Sequence, residues 1–227
     1  MKAVALLGGP KSRWPAFMKK QIFAAKKRDS LLIGVDRGSI LLAELGLVPD
    51  LAVGDFDSLK KNELNIIEQY IPDMRYSVPE KDLTDTELML KYAFEDYQIN
   101  FLTLLGATGG RLDHFMTNML MMLKPEFNAW AEKIEIIDRQ NLVKFYNPGN
   151  HTIKRRPGYT YFGIVTLSEV KNLNINGAKY NLSSYFNSYP ISLSSNEFVQ
   201  HNLVNVSFNE GVVAVIQSKD INRFQKI

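Results

Sequence analysis

The sequence predicts an α/β fold with a mostly parallel N-terminal sheet, helices on both of its faces, and a C-terminal antiparallel β-sandwich-like domain. Short, wholly apolar runs alternate with helical patterns as far as about residue 137. Strands that are apolar along their whole length are typical of a parallel sheet covered on both faces. From Asn141 the pattern changes to period-two alternation with turns, which indicates antiparallel strands. We therefore predict two domains, residues 1–138 and 139–227, joined in the region of residues 138–148 that leads to the NPG turn signal at residues 147–149.

The N-terminal half begins with an apolar run, residues 3–7, that ends at a Gly-Gly-Pro loop. Further apolar runs predict strands at residues 31–35, 51–53, 74–78, 101–105 and 134–137. Helical spacing of apolar residues predicts helices at residues 14–27, 40–45, 59–70, 85–97 and 113–123. Gly46 and Pro72 are residue types that end helices, and they support the ends of the second and third helices.

The C-terminal half contains two hairpin signals. Asn176 and Gly177 separate two alternating runs, and this dipeptide is typical of a tight β-turn. A second hairpin is predicted for residues 204–216, around the Asn-Glu-Gly turn at residues 209–211. Residues 185–189 are polar and aromatic, and we predict a loop there.

The composition is that of an ordinary globular protein. The chain has 227 residues, of which 45% are hydrophobic and 22% charged, and its net charge is only +3. This charge is too small to indicate a nucleic-acid or membrane-surface partner. The lack of cysteine excludes disulfides and thiolate metal sites, and no run approaches the ~20 apolar residues of a membrane span. The N-terminal apolar run is too short for a signal peptide, so we expect a cytoplasmic protein.

Polar and glycine-rich segments directly follow four of the predicted strands, at residues 8–9, 36–38, 54–57 and 106–113. Parallel sheets bind ligands outside the carboxyl ends of their strands. We therefore expect these four segments to converge on one functional site.

The segment GDFDS, residues 54–58, brings two carboxylates close together. If the backbone stays extended, Asp55 and Asp57 point to one side and Phe56 points toward the core. Two carboxylates about 4–5 Å apart repel each other by roughly 4 kcal/mol at an effective dielectric near 20, which favours a bound cation such as Mg²⁺. The alternative is an acidic turn in which Ser58 caps the next helix.

The segment EKDLTDTE combines a helix start with additional charges. Thr84 and Glu87 have the spacing of a capping box, which makes Asp85 the first helical residue. A helix cap alone explains Thr84, Asp85 and Glu87, because a carboxylate in the first turn, such as that of Asp85, also complements the helix dipole. Lys81 and Asp82 are not needed for a cap, and they suit a phosphate and the metal that accompanies it. The segment by itself leaves capping and function open.

The loop GATGG, residues 106–110, lies between a predicted strand and a helix. Its glycines allow a ligand to approach the backbone closely, and exposed N–H groups favour anions. The G-K-[ST] ending of a P-loop is absent, and so is the G-x-G-x-x-G spacing of a dinucleotide fingerprint. Arg111 can hold a phosphate in a bidentate fork, whereas Asp113 can be a ligand, a base or a helix cap. His114 can be structural or catalytic.

Four motifs in this order resemble the thiamine pyrophosphokinase family: residues 35–38 (VDRG), 53–58 (VGDFDS), 82–85 (DLTD) and 109–114 (GGRLDH). That family pairs an α/β catalytic domain with a C-terminal β domain. The resemblance implies a homodimer that transfers pyrophosphate from ATP to the hydroxyl of thiamine, giving thiamine diphosphate and AMP. A short segment, residues 193–198 (LSSNEF), resembles the part of the family's β domain that meets the vitamin.

The resemblance also implies roles for individual residues. As ligands of Mg²⁺ the resemblance implies Asp55, Asp57 and Asp85. For holding the nucleotide and assisting the transfer it implies Asp36, Asp82, Thr84, Gly109, Gly110, Arg111 and Asp113. Thr108, next to that loop, is a further candidate for nucleotide binding. Further candidates to neutralise phosphate charge are Arg37 and Lys81. The candidates for thiamine contacts are Ser195, Asn196 and Asp113. We count as catalytic Asp55, Asp57, Asp82, Asp85 and Asp113, with Asp82 and Asp113 as alternatives for acting on the thiamine hydroxyl.

Two other functions are consistent with the same acidic and glycine-rich segments. One is a nucleotide-binding regulatory module without transfer activity, and the other is a Mg²⁺-dependent phosphohydrolase that uses water in place of thiamine. Fold and net charge do not discriminate among the three.

Overall fold

The computed structural model describes residues 1–28, 30–57, 59–77, 83–199 and 202–220. These residues form two compact units. The first unit comprises Met1–Met121 and Ile136–Arg139, and the second comprises Met122–Glu135 and the chain from Gln140 onward.

The first unit is built on a parallel sheet. Its strands are β1 (Lys2–Leu6), β2 (Leu31–Val35), β3 (Leu51–Gly54), β4 (Asp73–Tyr76), β5 (Phe101–Leu105) and β6 (Ile134–Ile137). Their order is β6-β5-β1-β2-β3-β4, and neighbouring strands from β5 to β4 pair in parallel. All five residues of β2 are buried, so both faces of the sheet are covered at this strand. The predicted parallel sheet is confirmed.

Helices connect the strands of this unit, as predicted. They are α1 (Met18–Lys26), α2 (Arg37–Ala43), α3 (Lys61–Tyr70), α4 (Asp85–Lys91) and α5 (Leu112–Leu120). A π-helical turn extends α4 through Tyr92–Asp96. The prediction that the first helix begins at Trp14 is wrong, since Trp14 has a ψ of 143° and the α-helix begins at Met18. Pro15 explains the difference, because the residue before a proline is disfavoured in the helical region.

The second unit is a β-sandwich preceded by a short helix, α6 (Pro125–Asn128). Its strands are β7 (Asn141–Tyr146), β8 (Gly149–Lys154), β9 (Tyr161–Thr166), β10 (Val170–Asn176), β11 (Leu182–Asn187), β12 (Ile191–Glu197), β13 (Leu203–Phe208) and β14 (Val213–Ser218). One set has the order β12-β9-β14-β7 and the other the order β11-β10-β13-β8, with antiparallel pairing in both. Phe162 and Val213 from the first set share a buried core with Leu173 and Phe208 from the second. This confirms the predicted antiparallel sandwich.

Local predictions in this unit had mixed outcomes. The Asn176-Gly177 hairpin is confirmed, because β10 pairs with β11 across that turn. The second predicted hairpin is wrong, since β13 pairs with β8 and β10 whereas β14 pairs with β7 and β9. The loop predicted at residues 185–189 is also wrong at its start, because Tyr185 and Phe186 lie in β11. Alternation shows that a segment is a strand, but it does not show which strand is its partner.

Candidate active site

A cavity of about 740 Å³ lies where β1, β2, β3 and β5 end. Its lining residues are Leu7, Gly8, Gly9, Val35, Asp36, Arg37, Asp55, Asp57, Leu83, Thr84, Asp85, Thr86, Gly106, Ala107, Thr108, Gly110, Arg111, His114, Phe115, Thr117 and Asn118. Each of the four segments that follow a strand contributes to this lining, so their predicted convergence is confirmed.

Three carboxylates meet at one side of the cavity, and we call them the carboxylate cluster. Asp36 follows β2, Asp55 follows β3, and Asp85 is the first residue of α4. One carboxylate oxygen from each lies within 4.8 Å of the other two, and all three residues are half-buried. The adjacent parallel strands β2 and β3 explain why residues distant in sequence come together here.

The cluster is electrostatically unfavourable without a counter-ion. Burial, followed by repulsion from Asp85, raises the pKa of Asp36 to about 7. A hydrogen bond from the Phe56 N–H to Asp36 Oδ1, at 3.4 Å, opposes this rise only in part. A divalent cation would remove the repulsion, and carboxylate oxygens are the ligands that Mg²⁺ prefers. The residues present therefore fit such an ion.

Asp57 lines the same cavity but lies outside the carboxylate cluster. The predicted alternation of side chains requires a backbone that stays extended through Asp57. This expectation is wrong, because β3 ends at Gly54 and Phe56 has a φ of 57°. The Asp57 N–H instead donates to Asp55 Oδ1 at 3.1 Å, and the Asp57 side chain is exposed. Phe56 is buried, as predicted, and its ring packs edge-on against Tyr76. Ser58 lies outside the described residues.

Gly54 is required by the position of Asp36. A Cβ added to Gly54 would lie 1.9 Å from Asp36 Oδ1, so any other residue would displace the carboxylate. Asp36 itself adopts a φ of 47° with a ψ of −121°, which lies outside the left-handed helical region in which aspartate and asparagine are enriched, so its backbone is strained. The end of β3 thus fixes where the Asp36 carboxylate lies.

The capping box at the start of α4 is confirmed. The Glu87 N–H donates to Thr84 Oγ1 at 3.3 Å, and the Thr84 N–H donates to Glu87 Oε2 at 2.9 Å. Asp85 follows directly, and its Oδ1 accepts a hydrogen bond from the Ser77 hydroxyl at 2.6 Å. The cap therefore holds Asp85 at the cavity. Lys81 and Asp82, which we also predicted as site residues, lie outside the described residues.

Residues 106–110, which we call the glycine loop, contribute Gly106, Ala107, Thr108 and Gly110 to the same lining. The Gly9 N–H donates to the Gly106 carbonyl at 2.9 Å, and the Trp14 indole N–H donates to the Gly9 carbonyl at 3.1 Å. A Cβ on Gly9 would lie 2.2 Å from the Gly106 carbonyl oxygen, so this contact needs glycine. Gly109 packs against the Arg13 side chain, whereas Thr108 and Gly110 line the cavity.

Arg111 and Asp113 form an exposed ion pair at the start of α5. The Arg111 Nε donates to Asp113 Oδ1 at 3.1 Å. This contact with Arg111 lowers the pKa of the Asp113 carboxyl. Arg111 and the neighbouring His114 line the cavity, and so does Arg37 from the start of α2.

Two of the three residues predicted to contact thiamine, Ser195 and Asn196, lie in β12 of the second unit. Ser195 has a φ of 63° at an irregularity in the pairing of β12 with β9. The Asn196 side chain is buried, where its Oδ1 accepts from the Tyr180 N–H at 3.0 Å and its Nδ2 donates to the Tyr180 carbonyl at 2.8 Å. The Asn196 amide thus holds the backbone of Tyr180, whose ring is exposed.

Comparison with known proteins agrees with this arrangement. Residues 24–137 match the family described as thiamin pyrophosphokinase, catalytic domain, and residues 150–213 match the thiamin pyrophosphokinase, vitamin B1 binding domain. The chain belongs to the thiamin pyrophosphokinase family. The thiamine pyrophosphokinase of Bacillus subtilis is 34% identical over 224 residues, which cover 97% of this chain and 100% of that protein.

Solved structures of family members have the same fold. A thiamin pyrophosphokinase family protein from Enterococcus faecalis is 35% identical, with a TM-score of 0.87 over 97% of this chain and 100% of that one. The thiamin pyrophosphokinase from Geobacillus thermodenitrificans is 33% identical, with a TM-score of 0.80 over 98% of this chain and 99% of that one. These similarities confirm both the predicted fold class and the predicted family.

Family membership makes the protein a thiamine diphosphokinase, an enzyme that forms thiamine diphosphate by pyrophosphate transfer. Thiamine and ATP are its substrates. Among the described residues, no helix has the length and apolar character needed to cross a membrane.

Sequence reasoning grouped Asp57, rather than Asp36, with Asp55 and Asp85. The position of Asp36 directly after β2, next to β3, was the available signal for its place in the carboxylate cluster. Cavity residues on α5 beyond His114 were also missed, namely Phe115, Thr117 and Asn118. Counted from His114, they stand at positions i+1, i+3 and i+4, which is typical of one face of a helix, but only the fold shows that this face meets the cavity.

Proposed function

We propose that this chain is a Mg²⁺-dependent enzyme in which the cavity holds ATP and the transferred pyrophosphate passes to the hydroxyl of thiamine. The observation that carries the proposal is the carboxylate cluster, which shares one cavity with the glycine loop. Acidic oxygens at one side would hold a cation, and backbone N–H groups at the other would hold phosphate oxygens. Metal-dependent transfer of phosphoryl groups needs this combination.

The ion would be held by Asp55 and Asp85, with Asp36 beside them. Asp57, which is exposed in the same lining, would contribute from the edge of the cluster. When bound, Mg²⁺ supplies charge neutralisation for the phosphates. The capping box would keep Asp85 in place, and the Ser77 hydroxyl would orient one of its oxygens.

The phosphates would be held by the glycine loop and by cationic side chains around the cavity. Thr108, Gly109 and Gly110 would supply backbone donors. Arg37 and Arg111 line the cavity and would neutralise phosphate charge. We keep Lys81 and Asp82 as nucleotide-binding residues in the proposal, with Asp36 beside the metal-bound phosphates. Thr84 would act on the nucleotide through the capping box that places Asp85.

The transfer joins thiamine to the β-phosphorus of ATP. The hydroxyl oxygen of thiamine attacks that phosphorus, the bond to the oxygen that bridges the α- and β-phosphates breaks, and AMP leaves. The hydroxyl proton must pass to a base, for which Asp82 and Asp113 are the candidates. Arg111 lowers the pKa of Asp113, so this carboxylate is ionised but weakly basic, and it would orient the hydroxyl only after exchanging a contact with Arg111.

Thiamine would contact the second unit through the segment that contains Ser195 and Asn196. Because Asn196 holds the backbone of Tyr180, its contribution would include the shape of that surface. Our proposal keeps a homodimer in which the sites lie at the subunit interface. Cytoplasmic location and the absence of a nucleic-acid partner also stay predictions.

Identifying the nucleotide product tests the proposal directly. The protein is incubated with ATP, Mg²⁺ and thiamine, and the products are separated by chromatography. We expect AMP and thiamine diphosphate in equal amounts, and no AMP when either thiamine or Mg²⁺ is omitted. ADP or phosphate released without thiamine would instead indicate a hydrolase, and binding without turnover would indicate a regulatory module.

A further inference from the structure

Two buried polar side chains hold the glycine loop in place. Asn118, on α5, is 5% exposed, and its Nδ2 donates to the Ala107 carbonyl at 3.1 Å. Asp138, directly after β6, is 9% exposed, and its Oδ2 accepts a hydrogen bond from the Thr108 hydroxyl at 2.8 Å. Consecutive residues of the loop are thus anchored by two separate elements of the fold.

Contacts to the carbonyls of the glycine loop determine the directions of particular backbone donors, whereas the Asp138 contact restrains the Thr108 side chain. In a planar trans peptide the C=O and the following N–H point in opposite directions. A donor fixed on the Ala107 carbonyl therefore fixes the direction of the Thr108 N–H, and the Gly9 bond to the Gly106 carbonyl does the same for the Ala107 N–H. Within the described chain, the N–H groups of residues 107–110 have no hydrogen-bond acceptor.

We propose that Asn118 and Asp138 are positioning residues that keep the glycine loop in the shape in which its N–H groups bind the polyphosphate of ATP. The inference rests on the proposed function. Neither residue needs to touch the nucleotide, because each acts through the loop residue that it anchors. Holding donors in place before the substrate arrives avoids part of the entropy cost of ordering a glycine-rich segment.

The alternative is that both bonds serve only to satisfy buried polar groups. In that case, substitution would lower the stability of the protein without changing how the folded protein binds ligands. The positioning role predicts a narrower effect. Only the part of the binding free energy that comes from the β- and γ-phosphates should decrease. A ligand with three phosphates and one with a single phosphate therefore distinguish the two roles.

The experiment measures binding of α,β-methylene-ATP and of AMP, each with Mg²⁺, by calorimetry on the full chain. We expect Asn118→Leu and Asp138→Leu each to weaken the triphosphate analogue about tenfold, while AMP affinity changes less than about twofold. The matched control is Asn128→Leu, which removes another Asn side chain that donates to a backbone carbonyl, that of Met122, outside the cavity lining. This control should lower stability and leave the affinity for both ligands unchanged.

A double-mutant cycle shows whether Asp138 acts through Thr108. Thr108→Val should weaken the analogue about as much as Asp138→Leu, and the double variant should be no weaker than either one, about tenfold rather than a hundredfold. Thr108→Ser keeps the hydroxyl and should restore affinity to within about twofold. This cycle also provides the test if Asn118→Leu does not fold.

The results distinguish a failure of the positioning role from a failure of the proposed function. Three results would each overturn the positioning role. They are equal losses of affinity for AMP and the analogue, additive losses in the double-mutant cycle, and variants that bind both ligands like the wild type. If the wild-type protein binds no triphosphate, the proposed function and this inference both fail.

Discussion

The carboxylate cluster and the glycine loop line the same cavity but differ in how they are stabilised. The loop is held by contacts from other elements, since its carbonyls at Gly106 and Ala107 and the Thr108 hydroxyl all have hydrogen-bond partners outside the loop. The cluster brings three carboxylates together, and burial and mutual repulsion raise the pKa of Asp36 to about 7. One part of the site is therefore positioned by the fold without a ligand, whereas the other carries a repulsion that a bound cation would remove.

The largest effect that follows from this difference is expected for Asp55→Asn. The amide keeps the shape of the side chain but removes a charged ligand from the proposed metal site, so kcat should fall about 10³-fold. Stability of the metal-free protein should not fall, because a repulsive charge is lost. Steady-state assays at saturating Mg²⁺, together with urea denaturation in EDTA, measure the two effects. An active variant with the wild-type dependence on Mg²⁺ would show that the cluster does not hold the ion.

A smaller loss of activity is expected for Asp57→Asn, which tests the edge of the cluster. We expect kcat to fall about 10²-fold with the fold intact, because Asp57 lines the cavity but is exposed and lies outside the group of three. The free energy of unfolding of the metal-free variant should equal that of the wild type, because Asp57→Asn, unlike Asp55→Asn, removes no charge from the group of three. Circular dichroism and the same assay give the comparison. Normal turnover with unchanged Mg²⁺ dependence would remove Asp57 from the metal assignment.

The pKa of Asp36 predicts a pH-dependent stability for the metal-free protein. Its folded-state pKa of about 7 lies above the ordinary value of 3.8, so the folded state binds more protons than the unfolded state between these values. Stability therefore falls as the pH rises through this range, and Asp36→Asn should remove that loss. Allowing for solvent screening, the variant should gain about 2 kcal/mol more at pH 8 than at pH 4.5.

Urea denaturation in EDTA at the two pH values measures this gain. Asn is the matched replacement, because it has the size and shape of Asp and so preserves the close approach of Gly54. An equal gain at both pH values would mean that Asp36 does not ionise in this range in the folded protein.

The fold and the family were predictable because their signals are local. Apolar runs such as residues 31–35 identify buried strands without knowledge of their neighbours, and the loops that follow such strands mark the ligand-binding edge of a parallel sheet. The capping box of Thr84 and Glu87 was predictable for the same reason, since both members lie within one helical turn.

What the sequence did not show depends on backbone direction and on distant partners. The positive φ of Phe56 turns Asp57 out of the carboxylate cluster, and no local pattern distinguishes this turn from an extended strand. Asp36 enters the cluster only because β2 and β3 are neighbours. Likewise, β13 and β14 look like a hairpin, but each finds its partners elsewhere in the chain.

The smallest expected effect concerns Thr84, where capping and nucleotide binding were left as alternatives. Its hydroxyl oxygen accepts from the Glu87 N–H and lies 3.2 Å from Glu87 Oε2, so the cap already uses this group. Thr84→Ala should therefore lower stability by about 1 kcal/mol and raise the KM for ATP only about two- to threefold, through looser placement of Asp85. Thr84→Ser keeps the cap and should behave like the wild type. Thermal denaturation and ATP titrations of the three proteins would decide between the roles, because a tenfold rise in KM at unchanged stability would mean that Thr84 binds the nucleotide directly.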